Sequence, residues 1–470
     1  MSYLSIQFAV FFAAVVTLYY LAPPTRRVPL LLTASAFYYM AHIPQYILIL
    51  LALITIDYTA GRLIERASSR GGKKAWLMVS LTANLGLMAS FKYSFAVFGI
   101  SLGAMPLGLS FHTFQAICYT VDVYRGTQAA ERSFFVYALY ILFFPKIAAG
   151  PIERPQNLIH QFREVHSFNY ANVVSGLQLM AWGLFQKYVI AASIGPVVDN
   201  IYTNYAGHSG PVIAFAVLFF PFQILCDISG YSDIAIGAAQ VLGFRLSRNF
   251  NRPFHADSMA EYWKRWHISL SLWMRDYVFF PICGRRPGAP RIGAAIMLVF
   301  LANGVWHGAR WTYVVSGLLH GIYRATEFFA GRAISKTGWS LNPAWQGPVK
   351  IARTLLVFSL MTFAFIFFRA ETLSHAVGIL SHLFTGWGKV LSPAATLNEF
   401  ANTSFGLVHL LLVIAAILIL QIVQIAQSRG PIRPRLAAQP AWFRWSFYYA
   451  GIALLFAAAA QGDSFIYFKF

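Results

Sequence analysis

Residues 301–323 read LANGVWHGARWTYVVSGLLHGIY, a stretch apolar enough for a membrane that nevertheless carries His307, Arg310 and His320. On one continuous helix the two histidines would lie about 140° apart, so they share a site only if the chain turns between them. The signal for a turn is present: Gly304 and Gly308 flank His307, and Arg310 follows. That places His307 near a helix end, Arg310 within reach of an interface, and His320 deep in the next span beside Gly317 and Gly321. Small residues around a histidine let a substrate or another backbone come close.

The rest of the chain supplies the membrane. Of 470 residues 58% are hydrophobic, 17% aromatic and only 11% charged, against about 25% charged in soluble domains. Length alone would suit about three soluble domains. Apolar runs recur from residue 4 to residue 461, however, with no polar region large enough to fold alone. The reading is one all-α, polytopic membrane domain over residues 1–470. Its first run, YLSIQFAVFFAAVVTLYYLAPP (3–24), lacks a basic leader and a small-residue cleavage site, and is read as a retained helix. Cys118, Cys226 and Cys283 lie far apart without a CxxC pair, so they are read as small buried side chains rather than a zinc site or disulfide framework.

A net charge of +20 would suggest nucleic acid in a soluble protein. Here cytoplasmic enrichment of Lys and Arg accounts for it. Arg26 and Arg27, the cluster from Arg62 to Lys74, the trio Arg285, Arg286 and Arg291, and the group Arg429, Arg433 and Arg435 all fall on one side if residues 4–22 run inward, 28–60 form a hairpin, 75–99 return outward, 405–428 enter and 441–461 leave. Both termini then lie outside the cytoplasm. Further apolar runs cover 105–121, 133–150, 171–195, 211–227, 231–243, 263–283, 292–309, 311–330 and 351–369, with loops at 331–350 and 385–404.

Several of these runs are interrupted. FFPKIAAGPIERPQN (143–157) is expected to break at Pro145, Gly150 and Pro151, and FPFQILCDISGYSDIAIG (220–237) at Pro221 and Gly230. Irregular backbone at membrane depth is tolerated only when buried in protein or lining a wet cavity, which points to an internal cavity built from about 105–330.

The segment NFNRPFHADSMAEYWKRWHISLSLWMRDYVFFPICG (249–284) begins with a capping signal, Asp257 or Ser258 ahead of Glu261. At 100° per residue Trp263, Trp266, Leu270 and Trp273 share one face with His267 at its border, the pattern of an amphipathic interfacial helix. His267 is then either an interfacial histidine bonded to a neighbour or a site residue facing the cavity.

HxxxxD, HExxH and P-loop motifs are absent. Histidine, with an unperturbed pKa of about 6.5, is the remaining acid–base candidate. The residue types permit acyl transfer, and equally a proton relay that would include Asp227 and Asp233.

Six segments in order decide between these. GLSFHTFQAICYTVDVYRG (108–126), FFPKIAAGPIERPQN (143–157), GYSDIAIGAAQVLGFRLSRNFNRPF (230–254), EYWKRWHISLSLWMRDYVFFPICG (261–284), NGVWHGARWTYVVSGLLHG (303–321) and the terminal FIYFKF resemble the bacterial membrane-bound O-acyltransferases, nearest the alginate O-acetylation branch. The likeness is dense over 105–330, the implied catalytic core with its tunnel, and looser in the peripheral helices of 1–100 and 350–470. Cys283 and His112 depart from the family pattern.

The resemblance implies a ring of about 11–12 transmembrane helices, with re-entrant or interfacial helices, around a central tunnel where a cytoplasmic thioester meets an acceptor from the other side. It implies His320 as the catalytic histidine and His267 as its supporting partner. His307, Trp306, Trp311, Asp233, Trp266 and Asn303 are tunnel or substrate candidates; Arg285, Arg286 and Arg291 are candidates for holding the donor at the cytoplasmic mouth. No metal and no bound cofactor are implied. The donor is acetyl coenzyme A or an acyl-carrier thioester, the place a bacterial inner membrane, and the partners membrane lipids and periplasmic acetyltransferase or polysaccharide-modification proteins, with no nucleic acid. The alternatives are D-alanyl transfer from a carrier protein, a proton-coupled transporter or flippase, and a scaffold for polysaccharide export.

Overall fold

The computed structural model describes residues 3, 5–103, 105–338, 342–388 and 406–459. Among them every regular element is helical. The chain divides into two compact units, residues 1–182 with 231–248, and residues 183–230 with 249–470.

The first unit begins with α1 (Ile6–Leu21), α2 (Pro24–Met40), α3 (Tyr46–Arg66), α4 (Arg70–Phe98), α5 (Leu109–Arg125) and α6 (Phe134–Leu142). Local chemistry sets their ends. Ser5 Oγ accepts a hydrogen bond from the Phe8 amide at 3.1 Å, starting α1, and Pro24 occupies the first turn of α2, where its missing N–H costs nothing. Helix α1 is apolar all round, yet only Phe8, Phe12, Val15 and Tyr19 are buried, spaced four, three and four apart as one helical face requires. Its other face leaves Ile6 80% and Leu21 78% exposed, the surface a lipid-facing helix presents. Between α3, α4 and α5, the buried Asp57 accepts from Ser80 Oγ at 2.6 Å and Asn84 Nδ2 at 2.8 Å, and Ser80 Oγ lies 3.1 Å from Thr120 Oγ1. Polar bonds of this kind join helices that have no hydrophobic reason to associate in lipid.

The expected break at 143–157 is present: α7 (Phe144–Ile147) is one turn, and helix resumes only at α8 (Pro155–Leu158). The expected break at 220–237 is not. After α9 (Tyr170–Leu184), a π-helical turn at Phe185–Ala191 and α10 (Ala192–Thr203), helix α11 runs uninterrupted over Gly210–Val241 with Pro221 inside it. Runs 211–227 and 231–243 are therefore one helix. Gly230 is a packing residue: a Cβ there would lie 2.7 Å from the Gly183 carbonyl oxygen. Within the second unit, Lys187 of the π turn and Asp227 of α11 form a buried ion pair at 2.5 Å.

The second unit continues through α12 (Met259–Arg265), α13 (Ile268–Met274), α14 (Phe280–Cys283), α15 (Ala289–His307), α16 (Trp311–Thr337), α17 (Gln346–Arg369), α18 (Leu373–His382), α19 (Gly406–Ser428), α20 (Ile432–Ala437) and α21 (Ala441–Ala459). Residues 331–337 and 346–350 are helical rather than loop, because α16 and α17 each run further than their apolar stretches. The loop expected at 385–404 lies largely outside the described residues, and FIYFKF lies wholly outside them. Among the described residues five helices are long and apolar enough to cross a membrane: Tyr46–Arg66, Gly210–Val241, Ala289–His307, Pro343–Arg369 and Leu410–Ser428. All three cysteines are buried and none forms a disulfide, which leaves Cys283 shielded from modification.

Candidate active site

The site starts from the α15–α16 hairpin. Helix α15 ends at His307, Gly308 follows at φ 150°, and α16 starts at Trp311. Glycine suits that backbone because it carries no Cβ. The helices return antiparallel through close glycine contacts: a Cβ on Gly304 would lie 2.5 Å from the Tyr313 carbonyl oxygen, and one on Gly317 2.5 Å from the Phe300 carbonyl oxygen. The glycine before His320 thus admits a backbone, and the imidazole is held at fixed height beside α15.

The 259–283 segment is not the single amphipathic helix expected. Helix α12 stops at Arg265, and His267 adopts φ 42° and ψ 56° before α13 begins. A left-handed non-glycine residue costs on the order of 1–3 kcal/mol and persists only where its surroundings impose it. A π-helical turn, Arg275–Phe279, then precedes α14. The 100° projection fails past Trp266 because the rotation is not continuous.

The expected cap is at Ser258, whose Oγ accepts from the Glu261 amide at 3.1 Å, while Glu261 accepts from the Asp257 amide at 3.1 Å. A second cap was not visible in the sequence. Glu327, two turns beyond His320 on α16, accepts from the Met259 and Ala260 amides at 2.8 and 2.9 Å. Its carboxylate satisfies amides that a helix start leaves open and ties the His320 helix to the one carrying Trp263.

These elements enclose a cavity in the second unit. His267, His307, His320, Asn303 and Trp266 line it, joined by Trp263 and by Phe365 and Phe368 of α17. The cavity is narrow, with a volume of about 40 Å³, room for only a few water molecules. The His320 ring meets Trp263 edge to face at 5.2 Å and lies 6.1 Å from Phe300 and 6.4 Å from Phe365. Its Nδ1 is buried and has no hydrogen-bond partner among the described residues. His307 packs edge to face on Phe368 at 4.8 Å.

Of the other candidates, Trp306 is buried against His307, their rings 4.6 Å apart, but off the cavity wall. Trp311 is 72% exposed at the start of α16, and Asp233 belongs to the first unit; neither lines the cavity. Arg285, Arg286 and Arg291 are exposed, and Arg291 bonds the Ile282 carbonyl at 2.8 Å. Trp263, Phe365 and Phe368 were missed as wall residues. Trp263 was legible as part of an aromatic face, whereas nothing in the sequence of α17 distinguishes its cavity side from its lipid side.

An imidazole with an unengaged nitrogen, walled by aromatic rings in a space of a few atoms, can accept and return one proton where bulk water is scarce. Comparison with known proteins specifies which chemistry. The profile of the membrane-bound O-acyltransferase family matches residues 128–368. A probable alginate O-acetylase, AlgI, of Azotobacter vinelandii is 33% identical over 414 residues, 84% of this chain and 79% of that protein. A peptidoglycan O-acetyltransferase of Helicobacter pylori is 31% identical over 74% of this chain and 72% of its own. More distantly, a teichoic acid D-alanyltransferase of Bacillus subtilis is 27% identical over 57% and 70%.

Proposed function

The chain belongs to the membrane-bound O-acyltransferase family, and from that premise we propose that this multi-pass acyltransferase moves acetyl groups from cytoplasmic acetyl coenzyme A to hydroxyls of an exported polysaccharide such as alginate. Transfer is direct or runs through a periplasmic acetyltransferase partner. The protein sits in the bacterial inner membrane with both termini periplasmic. Greater identity to the O-acetylases than to the D-alanyltransferase favours acetyl coenzyme A over a carrier-protein donor.

The observation that carries this reading is the buried, unbonded Nδ1 of His320 in a cavity lined mostly by apolar and aromatic side chains. His320 takes the proton of the acceptor hydroxyl as its oxygen attacks the thioester carbonyl; the carbon–sulfur bond breaks, and the departing thiolate takes the proton back. His267, which lines the same cavity, supports the reaction, and the close walls keep water from the thioester. Arg285, Arg286 and Arg291 draw in the coenzyme's phosphates.

The test is radiolabel transfer from acetyl coenzyme A into cell-surface polymer. Replacing His320 with Ala is expected to lower labelling about 100- to 10,000-fold at unchanged protein abundance, the usual contribution of a positioned acid–base group. Wild-type labelling would overturn the assignment.

A further inference from the structure

The backbone break at His267 is held from outside its own segment. The Asn249 carbonyl accepts from the Ile268 amide at 2.8 Å, and the Asn251 amide donates to the Arg265 carbonyl at 2.8 Å. The Asn249 side-chain oxygen accepts twice more, from the Ser269 amide at 3.2 Å and from Ser269 Oγ at 2.9 Å. These bonds bracket His267 from both sides. Asn249 is 1% exposed, so water does not compete for them.

We propose that Asn249 is a positioning residue for acyl transfer: its side-chain oxygen pins Ser269 and thereby keeps His267 in the left-handed conformation that puts it on the cavity wall. The alternative backbone for residues 266–268 is ordinary helix, in which α12 and α13 merge and the imidazole rotates away from its present place. The merger is blocked at two successive amides: that of Ile268, which would turn back to the Lys264 carbonyl, is held by the Asn249 carbonyl, and that of Ser269, which would turn back to the Arg265 carbonyl, is held by the Asn249 side chain. The oxygen, rather than the amide nitrogen, of Asn249 does the holding, since both side-chain bonds end on it. Asparagine is therefore replaceable by aspartate and not by alanine. The proposal rests on His267 supporting the reaction at His320.

The experiment uses the full chain in detergent with radiolabelled acetyl coenzyme A and acceptor polymer, following turnover, apparent KM for the donor and thermal unfolding. A misplacement of about 1 Å costs a reaction up to roughly 100-fold. Asn249→Ala is thus expected to cut turnover about 10- to 100-fold with KM and unfolding temperature near wild type. Asn249→Asp is expected to stay within about threefold of wild type, and Asn249→Ala to add nothing to the loss caused by His267→Ala. The proposal is overturned if Asn249→Ala turns over normally, if Asn249→Asp is as poor as Asn249→Ala, or if the losses at 249 and 267 multiply. Unfolding that falls in step with turnover would also overturn it, leaving Asn249 a fold-stabilising residue. Normal turnover by His267→Ala removes the proposal while leaving the His320 reading to its own test.

Discussion

The two segments that bring histidines to the cavity are built on opposite principles. Residues 289–337 form two long helices whose glycines interlock, so His320 is placed by helical rise alone. Residues 259–283 form three short helices with a left-handed residue and a π turn between them, so His267 is placed by bonds reaching in from Asn249 and Glu327. A histidine on a packed hairpin is sensitive to anything that parts the helices; one at a clamped break is sensitive to the clamps.

That contrast orders the expected effects of mutation. The largest is Gly317→Val: its side chain would collide with the Phe300 carbonyl, 2.5 Å from where a Cβ would stand. A destabilisation of about 3 kcal/mol and loss of nearly all transfer are expected, measured as unfolding temperature and polymer labelling. Wild-type values for both would break the claim that glycine contact sets the height of His320. Next is Glu327→Ala, which strips the first turn of α12 of two acceptors at a cost of about 1–3 kcal/mol. Partial loss of transfer is expected, with Glu327→Gln intermediate because one acceptor oxygen remains. Equal effects of the two substitutions would show that the carboxylate's charge, not its two bonds, matters. Smallest is Ser258→Ala, about 1 kcal/mol of stability with transfer close to wild type, because Glu327 still holds the same turn. If Ser258→Ala were as damaging as Glu327→Ala, the clamp from α16 would lose its claim to dominate.

The same contrast explains what was legible beforehand. The turn at Gly308 and the capped start at Ser258 are local chemistry, written within a few residues, and both are present as expected. The break at His267 is not local: Asn249 lies 20 residues before the Ser269 it pins, and Glu327 lies 68 residues after the Met259 amide it caps. Read alone, WKRWHISLSLW looks like one amphipathic helix. Pro221 and Gly230 mislead in the reverse direction, as breakers by propensity that tertiary packing absorbs into α11. For function, the histidines by themselves fitted an acyltransferase and a proton-coupled transporter about equally. The ordered family segments decided for the enzyme, and the match of the family profile agrees.

On the proposed chemistry the two histidines of LANGVWHGARWTYVVSGLLHGIY are not equivalent: His320 moves the proton and His307 only lines the cavity. Side-by-side transfer of labelled acetyl groups by His320→Ala and His307→Ala, at matched abundance, tests it most directly. The expected loss is about 100-fold or more for the first and at least about tenfold smaller for the second. An unimpaired His320→Ala, or equal losses from the two, would contradict it.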